Sequence, residues 1–151
     1  MSLDKGLQLR FWGVRGSTPT PEINKLAYGG NTTCIEVRSP SDQVLIIDGG
    51  SGLRNLGQAL QAEAGDRALD VKMLLTHFHW DHIQGIPFFP ALYQPGAKLT
   101  FYSSERLGPI ADRLQGQMAQ PYFPVSFNCV AATREFVELA DEKLTLGDVN
   151  I

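Results

Sequence analysis

Cysteine and histidine are scarce in this 151-residue sequence, with two of the first (Cys34 and Cys129) and three of the second. Two thiols cannot build a disulfide framework, so free buried cysteines are expected. No stretch approaches the ~18 consecutive apolar residues of a membrane span, and Met1-Ser2-Leu3-Asp4-Lys5-Gly6 lacks the apolar centre of a signal peptide. No membrane partner is expected, and the cytoplasm is the expected location. Internal repeats, low-complexity blocks and linkers are also missing. Charge of one sign is not in excess: 13 Lys and Arg against 16 Asp and Glu leave a net charge of −3. That balance argues against a chain that coats nucleic acid, yet it allows a small charged substrate in a local pocket. What is present is a globular composition, 43% hydrophobic and 19% charged, at the length of one domain able to bury roughly 70% of its unfolded surface.

Along the chain, Leu7, Leu9 and Phe11 alternate with polar or amphipathic neighbours and predict a half-buried strand. The Gly-, Pro-, Ser- and Thr-rich stretch from Gly13 to Gly30 predicts an exposed loop. Cys34 to Val37 and Val44 to Ile47, separated by Ser39-Pro40-Ser41-Asp42, predict a hairpin. Ser51 is placed to cap a helix with apolar Leu53, Leu56 and Leu60, ending at Gly65. Val71 to Leu75 and Lys98 to Tyr102 predict strands, Glu105 to Gln117 a helix, and Phe136 to Leu139 and Leu144 to Leu146 further strands. Strands and helices alternate, so the class is α/β or α+β.

All three histidines fall at 77, 79 and 82, with Asp81 between the last two, where an apolar strand stops. Imidazole and carboxylate are the ligands a Zn²⁺-type ion takes. His77 and His79 are two apart, so an extended segment can aim both the same way. A turn into a helix then directs Asp81 and His82 to a neighbouring position. Two ions ~3.5–4 Å apart can hold a nucleophile and stabilise a leaving oxygen, but each needs about three protein ligands, and four donors are too few for two. Imidazole and carboxylate accept Zn²⁺, Mn²⁺ and Fe²⁺ alike.

Thr76-His77-Phe78-His79-Trp80-Asp81-His82 with Ile83-Gln84-Gly85, preceded by Leu45-Ile46-Ile47-Asp48-Gly49-Gly50, resembles the signature of the metallo-β-lactamase superfamily. Phe11-Trp12-Gly13-Val14-Arg15-Gly16-Ser17, Tyr28-Gly29-Gly30-Asn31-Thr32-Thr33-Cys34 and Pro121-Tyr122-Phe123-Pro124 resemble its branch of cyclic-nucleotide phosphodiesterase-like and tRNase Z-like hydrolases. The resemblance implies a four-layer αββα sandwich, of which residues 1–151 are the N-terminal part of a single domain incomplete at the C-terminus. It implies two divalent ions, Zn or else Mn or Fe, with His77 and His79 on the first and Asp81 and His82 on the second. Asp81 is thereby the candidate catalytic residue. Asp48 is expected to orient a ligating histidine, with a turn role as the alternative. Asn31 is the candidate substrate contact, or else an Asx-type turn. Arg15 meets a phosphate or forms a surface ion pair, and Trp80 packs beside the site.

The superfamily completes its site with two later histidines and a bridging aspartate. After His82 this sequence has no histidine, and Asp112, Asp141 and Asp148 lie in no matching context. An isolated half-sandwich would expose a sheet face and an edge, so a homo-oligomer, formed by exchange of elements, is expected. The function expected is a dinuclear phosphodiesterase acting on a small, cyclic-nucleotide-like diester through a metal-bound hydroxide. Nucleic acid is not the expected partner, because the loop Thr18 to Tyr28 carries only Lys25 as a base. The alternatives are a non-catalytic metal-binding or interaction domain and an ester or thioester hydrolase.

Overall fold

A computed structural model describes residues 6–141 and 143–151; the reading of Met1 to Lys5 as lacking a leader lies outside them. Six strands form one sheet in the order β1-β2-β3-β4-β5-β6. They are β1 (Gln8–Gly13), β2 (Cys34–Arg38), β3 (Val44–Ile47), β4 (Asp70–Leu74), β5 (Lys98–Ser104) and β6 (Thr133–Leu139). The first three are antiparallel, as the hairpin signal at 39–42 predicts, and β3 to β6 run parallel. Parallel neighbours need crossovers. These are supplied by α1 (Leu53–Ala64), by α2 (Trp80–Ile83) with two short 3-10 turns, and by α3 (Ile110–Gln117). The mixed α/β class expected from the sequence is the class observed.

Alternate strand residues point to opposite faces, and here both sets are apolar. On one face Ile46, Met73, Leu99 and Phe101 pack against Leu53, Leu56 and Leu60 of α1 and Ile110 and Leu114 of α3. On the other, Val37, Leu45 and Tyr102 meet Leu146 of a small hairpin, β7 (Thr145–Leu146) and β8 (Val149–Asn150). Asp148 in that turn accepts from the Ser41 backbone N–H at 3.1 Å and hydroxyl at 2.9 Å, tying the hairpin to the β2–β3 turn.

Several sequence expectations are corrected. The apolar side of β1 is not half-buried: Leu9 and Phe11 are 58% and 61% exposed, because they extend the second face to a sheet edge that nothing covers among the described residues. Ser51 does not cap α1; Gly52 stands at the cap without a side-chain bond. The Ser51 hydroxyl instead accepts from Thr32 N–H and donates to Asn31 Oδ1, both at 3.0 Å. Gly108, at φ +79°, and Pro109 split the expected helix 105–117 into a 3-10 turn, Glu105–Leu107, and α3. Leu144 to Leu146 turns back at Gly147, φ +58°, into the hairpin. Cys34 is buried as expected, but Cys129 is exposed.

Candidate metal centre

The parallel strands deliver their C-terminal ends to one edge, where open α/β sheets place their ligands. The register pairs Ile47 with Leu74 and Leu74 with Tyr102. Asp48, directly after β3, and Thr76, two residues past β4, therefore emerge side by side. Asp48 stands at φ +61°, a left-handed conformation that Asp tolerates better than most residues. Its N–H donates to Leu74 O at 2.9 Å. The turn behind it interlocks with the histidine segment: Gly49 N–H donates to His82 O at 2.7 Å, and Gly85 N–H to Gly49 O at 2.8 Å. Gly50 has no room for a Cβ, which would collide with Asp81 O, Thr32 Oγ1 and Thr33 O. That close approach is why the Gly-Gly follows Asp48.

The four sequence-predicted donors are brought to one place. The ring centroids of His77 and His79 lie 4.5 Å apart and those of His77 and His82 4.1 Å apart. His82 Nε2 is 3.4 Å from Asp81 Oδ2. His79 is the N-terminal flanking residue of α2, with β-region dihedrals, and this lets the chain turn so that Asp81 and His82 follow on the first helical turn.

Asp48 is 2% exposed and takes three donors. His82 Nδ1–H donates to Oδ2 at 2.8 Å, Thr76 N–H donates to Oδ1 at 2.9 Å, and the Thr76 hydroxyl reaches both oxygens at 2.9–3.0 Å. A carboxylate oxygen accepts only, so His82 carries its proton on Nδ1 and turns Nε2 outward. That is the way a carboxylate fixes the tautomer of a metal-binding histidine. Asp81 Oδ2 accepts from the backbone N–H of Ser17 at 2.8 Å. This bond is the leading cause holding the Asp81 carboxyl below the ordinary value. Burial, then the neighbouring His82 and His79, lower the pKa of His77. A neutral imidazole and an ionised carboxylate are the forms a divalent ion needs.

The donor types and their convergence fit a divalent ion. Among the described residues, however, no three His, Cys, Asp or Glu side chains are drawn tightly enough to enclose one. The cluster is an open, partial set of candidate donors.

The flanking candidates have other partners. Asn31 Oδ1 accepts from Ser51, and its backbone oxygen accepts from Val14 and Arg15 N–H at 3.0 and 2.9 Å. Arg15 binds Gly29 O through Nε at 2.9 Å and Lys25 O through Nη2, clamping the loop it leads into. Among the described residues it forms no ion pair, and two of its donors go to backbone carbonyls. Trp80 does not pack beside the site; it is 66% exposed at the start of α2. Sequence reasoning missed Thr76 and Ser17. A hydroxyl directly before His77 was the available signal for Thr76; Ser17 acts through its backbone, which no side-chain pattern reveals.

A family model described as Metallo-beta-lactamase superfamily matches residues 27–99. The ribonuclease Z of Clostridium tetani is 27% identical over 132 residues, 85% of this chain and 38% of that protein. The ribonuclease Z of Bradyrhizobium diazoefficiens is 39% identical over 79 residues, 52% of this chain and 23% of that protein. A Thermotoga maritima crystal structure described as a candidate metallo-beta-lactamase is 26% identical, covering 67% of this chain and 44% of that one at a TM-score of 0.38. The chain thus spans well under half the length of the curated relatives it matches.

These relatives overturn the expectation of a small-molecule substrate and of nucleic acid as a foreign partner, since both are ribonucleases by name. The physical reason is that net charge averages over a whole surface, whereas phosphate contacts are made locally by a few donors and backbone N–H groups. No described helix is long and apolar enough to cross a membrane. The matched segment and these relatives support the resemblance of the chain to the metallo-β-lactamase superfamily and to its ribonuclease Z-like branch.

Proposed function

We propose that this chain carries ligands of a metal-dependent hydrolase that cleaves RNA phosphodiesters. The observation that carries the reading is the convergence of His77, His79, Asp81 and His82 at the C-terminal edge of the parallel strands, with Asp48 holding His82. His77 and His79 would hold one divalent ion and Asp81 and His82 a second, with Zn²⁺, Mn²⁺ and Fe²⁺ all compatible with these donors. Such ions, when bound, polarise phosphoryl oxygens and neutralise the charge that develops on them.

The chain's own residues prepare the site. Asp48 fixes the Nδ1–H tautomer of His82. The Ser17 N–H favours the anionic form of Asp81, and the clamp of Arg15 on Gly29 and Lys25 holds the loop that carries Ser17. Ser51 bonds both Thr32 and Asn31, and Gln84 Nε2 donates to Thr32 Oγ1 at 2.9 Å, so the segment beside the site is braced to the histidine motif.

The test incubates the protein at its full encoded length, loaded with Zn²⁺ or Mn²⁺, with a transfer RNA bearing a 3′ extension and, in parallel, with bis(p-nitrophenyl) phosphate. Metal-dependent RNA cleavage, reduced 100-fold or more by His77→Ala, is expected. Hydrolysis of the small diester with no cleavage of any RNA would refute the substrate reading. A thioester or carboxylic ester as the only substrate would refute the phosphodiester reading.

A further inference from the structure

We infer that Thr76 is a positioning residue: its hydroxyl couples the buried Asp48 carboxylate to His77, so that one carboxylate sets the ring tautomers of two histidines. The Thr76 hydroxyl lies 3.0 and 2.9 Å from the two Asp48 oxygens and 3.1 Å from His77 Nδ1. A hydroxyl has one proton to give and two lone pairs. The carboxylate can only accept, so the proton goes to Asp48. The hydroxyl oxygen is then left as an acceptor toward His77, whose Nδ1 must carry the proton. His77 consequently presents Nε2 as its free lone pair. His82 does the same through its direct 2.8 Å bond to Asp48.

The backbone makes the geometry stiff. Thr76 N–H also donates to Asp48 Oδ1 at 2.9 Å, so Thr76 is held to the carboxylate at two points. Asp48 in turn is anchored by its N–H to Leu74 O, one residue past the paired end of β3. The arrangement explains why a hydroxyl residue stands where β4 gives way to the histidines: an aliphatic side chain there would leave His77 Nδ1 without its acceptor. The inference rests on the metal-site reading only in naming Nε2 as the ligating atom. The tautomer itself is measurable in the metal-free chain.

The experiment uses ¹⁵N-labelled protein without metal, at a pH where the imidazoles are neutral, and reads the ring nitrogen shifts of His77 and His82. Wild type should show Nδ1–H for both. In Thr76→Val, His77 should shift to a mixture with, or a majority of, Nε2–H while His82 keeps Nδ1–H; Thr76→Ser should restore the wild-type pattern. If the valine variant does not fold, Thr76→Ala repeats the comparison. Zn²⁺ titration should show affinity about 10-fold lower in the valine variant and near wild type in the serine variant. An unchanged His77 tautomer in Thr76→Val or Thr76→Ala overturns the inference. A simultaneous change at His77 and His82 also overturns it, because Thr76 would then merely be supporting Asp48. If the tautomers behave as expected but the full-length protein cleaves no RNA, the coupling stands and the proposed substrate fails.

Discussion

Replacing Asp48 by asparagine keeps the shape of the side chain and tolerates the φ of +61°, but it removes the charge and one acceptor oxygen. The amide oxygen can go on accepting from Thr76. The amide NH₂ then faces His82 Nδ1, which must give up its proton to Nε2 or lose the bond. Either outcome blocks or unfixes the nitrogen that would face an ion. Losing such a partner typically weakens metal binding 10- to 100-fold, equivalent to about 1.4–2.8 kcal/mol. Folding also suffers: three bonds to a carboxylate become bonds to a neutral amide, each weaker by about 1 kcal/mol, for a loss of about 2–3 kcal/mol. Asp48→Ala goes further, leaving Thr76 N–H and His82 Nδ1–H without their acceptor and placing alanine at positive φ, a conformation that itself costs about 1–2 kcal/mol. Zn²⁺ titration against a chromophoric chelator reads the affinity, and urea unfolding reads the stability as a lower midpoint at constant slope. A folded Asp48→Asn protein with wild-type Zn²⁺ affinity would refute the reasoning and return Asp48 to the role of a turn residue.

Burial, with Asp48 and Glu36 nearby, pushes the Cys34 thiol up to about 12, whereas Cys129 is exposed. Iodoacetamide at neutral pH should therefore add one adduct per native chain, at Cys129, and a second only in urea; rapid native labelling of Cys34 would contradict the packing. Glu63 accepts both arms of the Arg38 fork, at 2.8 and 2.6 Å, and this bond is the main cause holding its carboxyl below the ordinary 4.5. A lowered folded-state value means the contribution is complete above 4.5 and disappears as the pH falls through the lower folded value. Glu63 is half exposed, so the contribution is at most about 1 kcal/mol. Glu63→Gln should lower the urea midpoint slightly at pH 7 and not at pH 2.5; an equal loss at both would exclude the ion pair as the cause.

The histidine cluster was legible in the sequence because its geometry is local. Spacings of two and three residues at the end of an apolar strand carry their own direction, and the structure brings the four side chains together at that strand's end. The β2–β3 hairpin and the Gly65 end of α1 were legible for the same reason, since turn chemistry and helix termination depend on neighbouring residues. Asp48 was legible only through resemblance, and its partners Thr76 and His82 lie 28 and 34 residues away. Ser51 has the residue type of a cap, but tertiary contact with Asn31 and Thr32 claimed its hydroxyl. The alternation in β1 gave the correct strand and the wrong burial, because burial depends on what covers a face. Net charge misled the reading of the partner, since recognition of phosphate is a local property of a surface and composition is a global one. Periodicity, turns and ligand spacing are short-range and written in the chain. The Thr76 coupling, the Ser17 bond to Asp81 and the Asp48 network join segments far apart in sequence, and only the parallel register of β3 and β4 and the loop folded over them decided those.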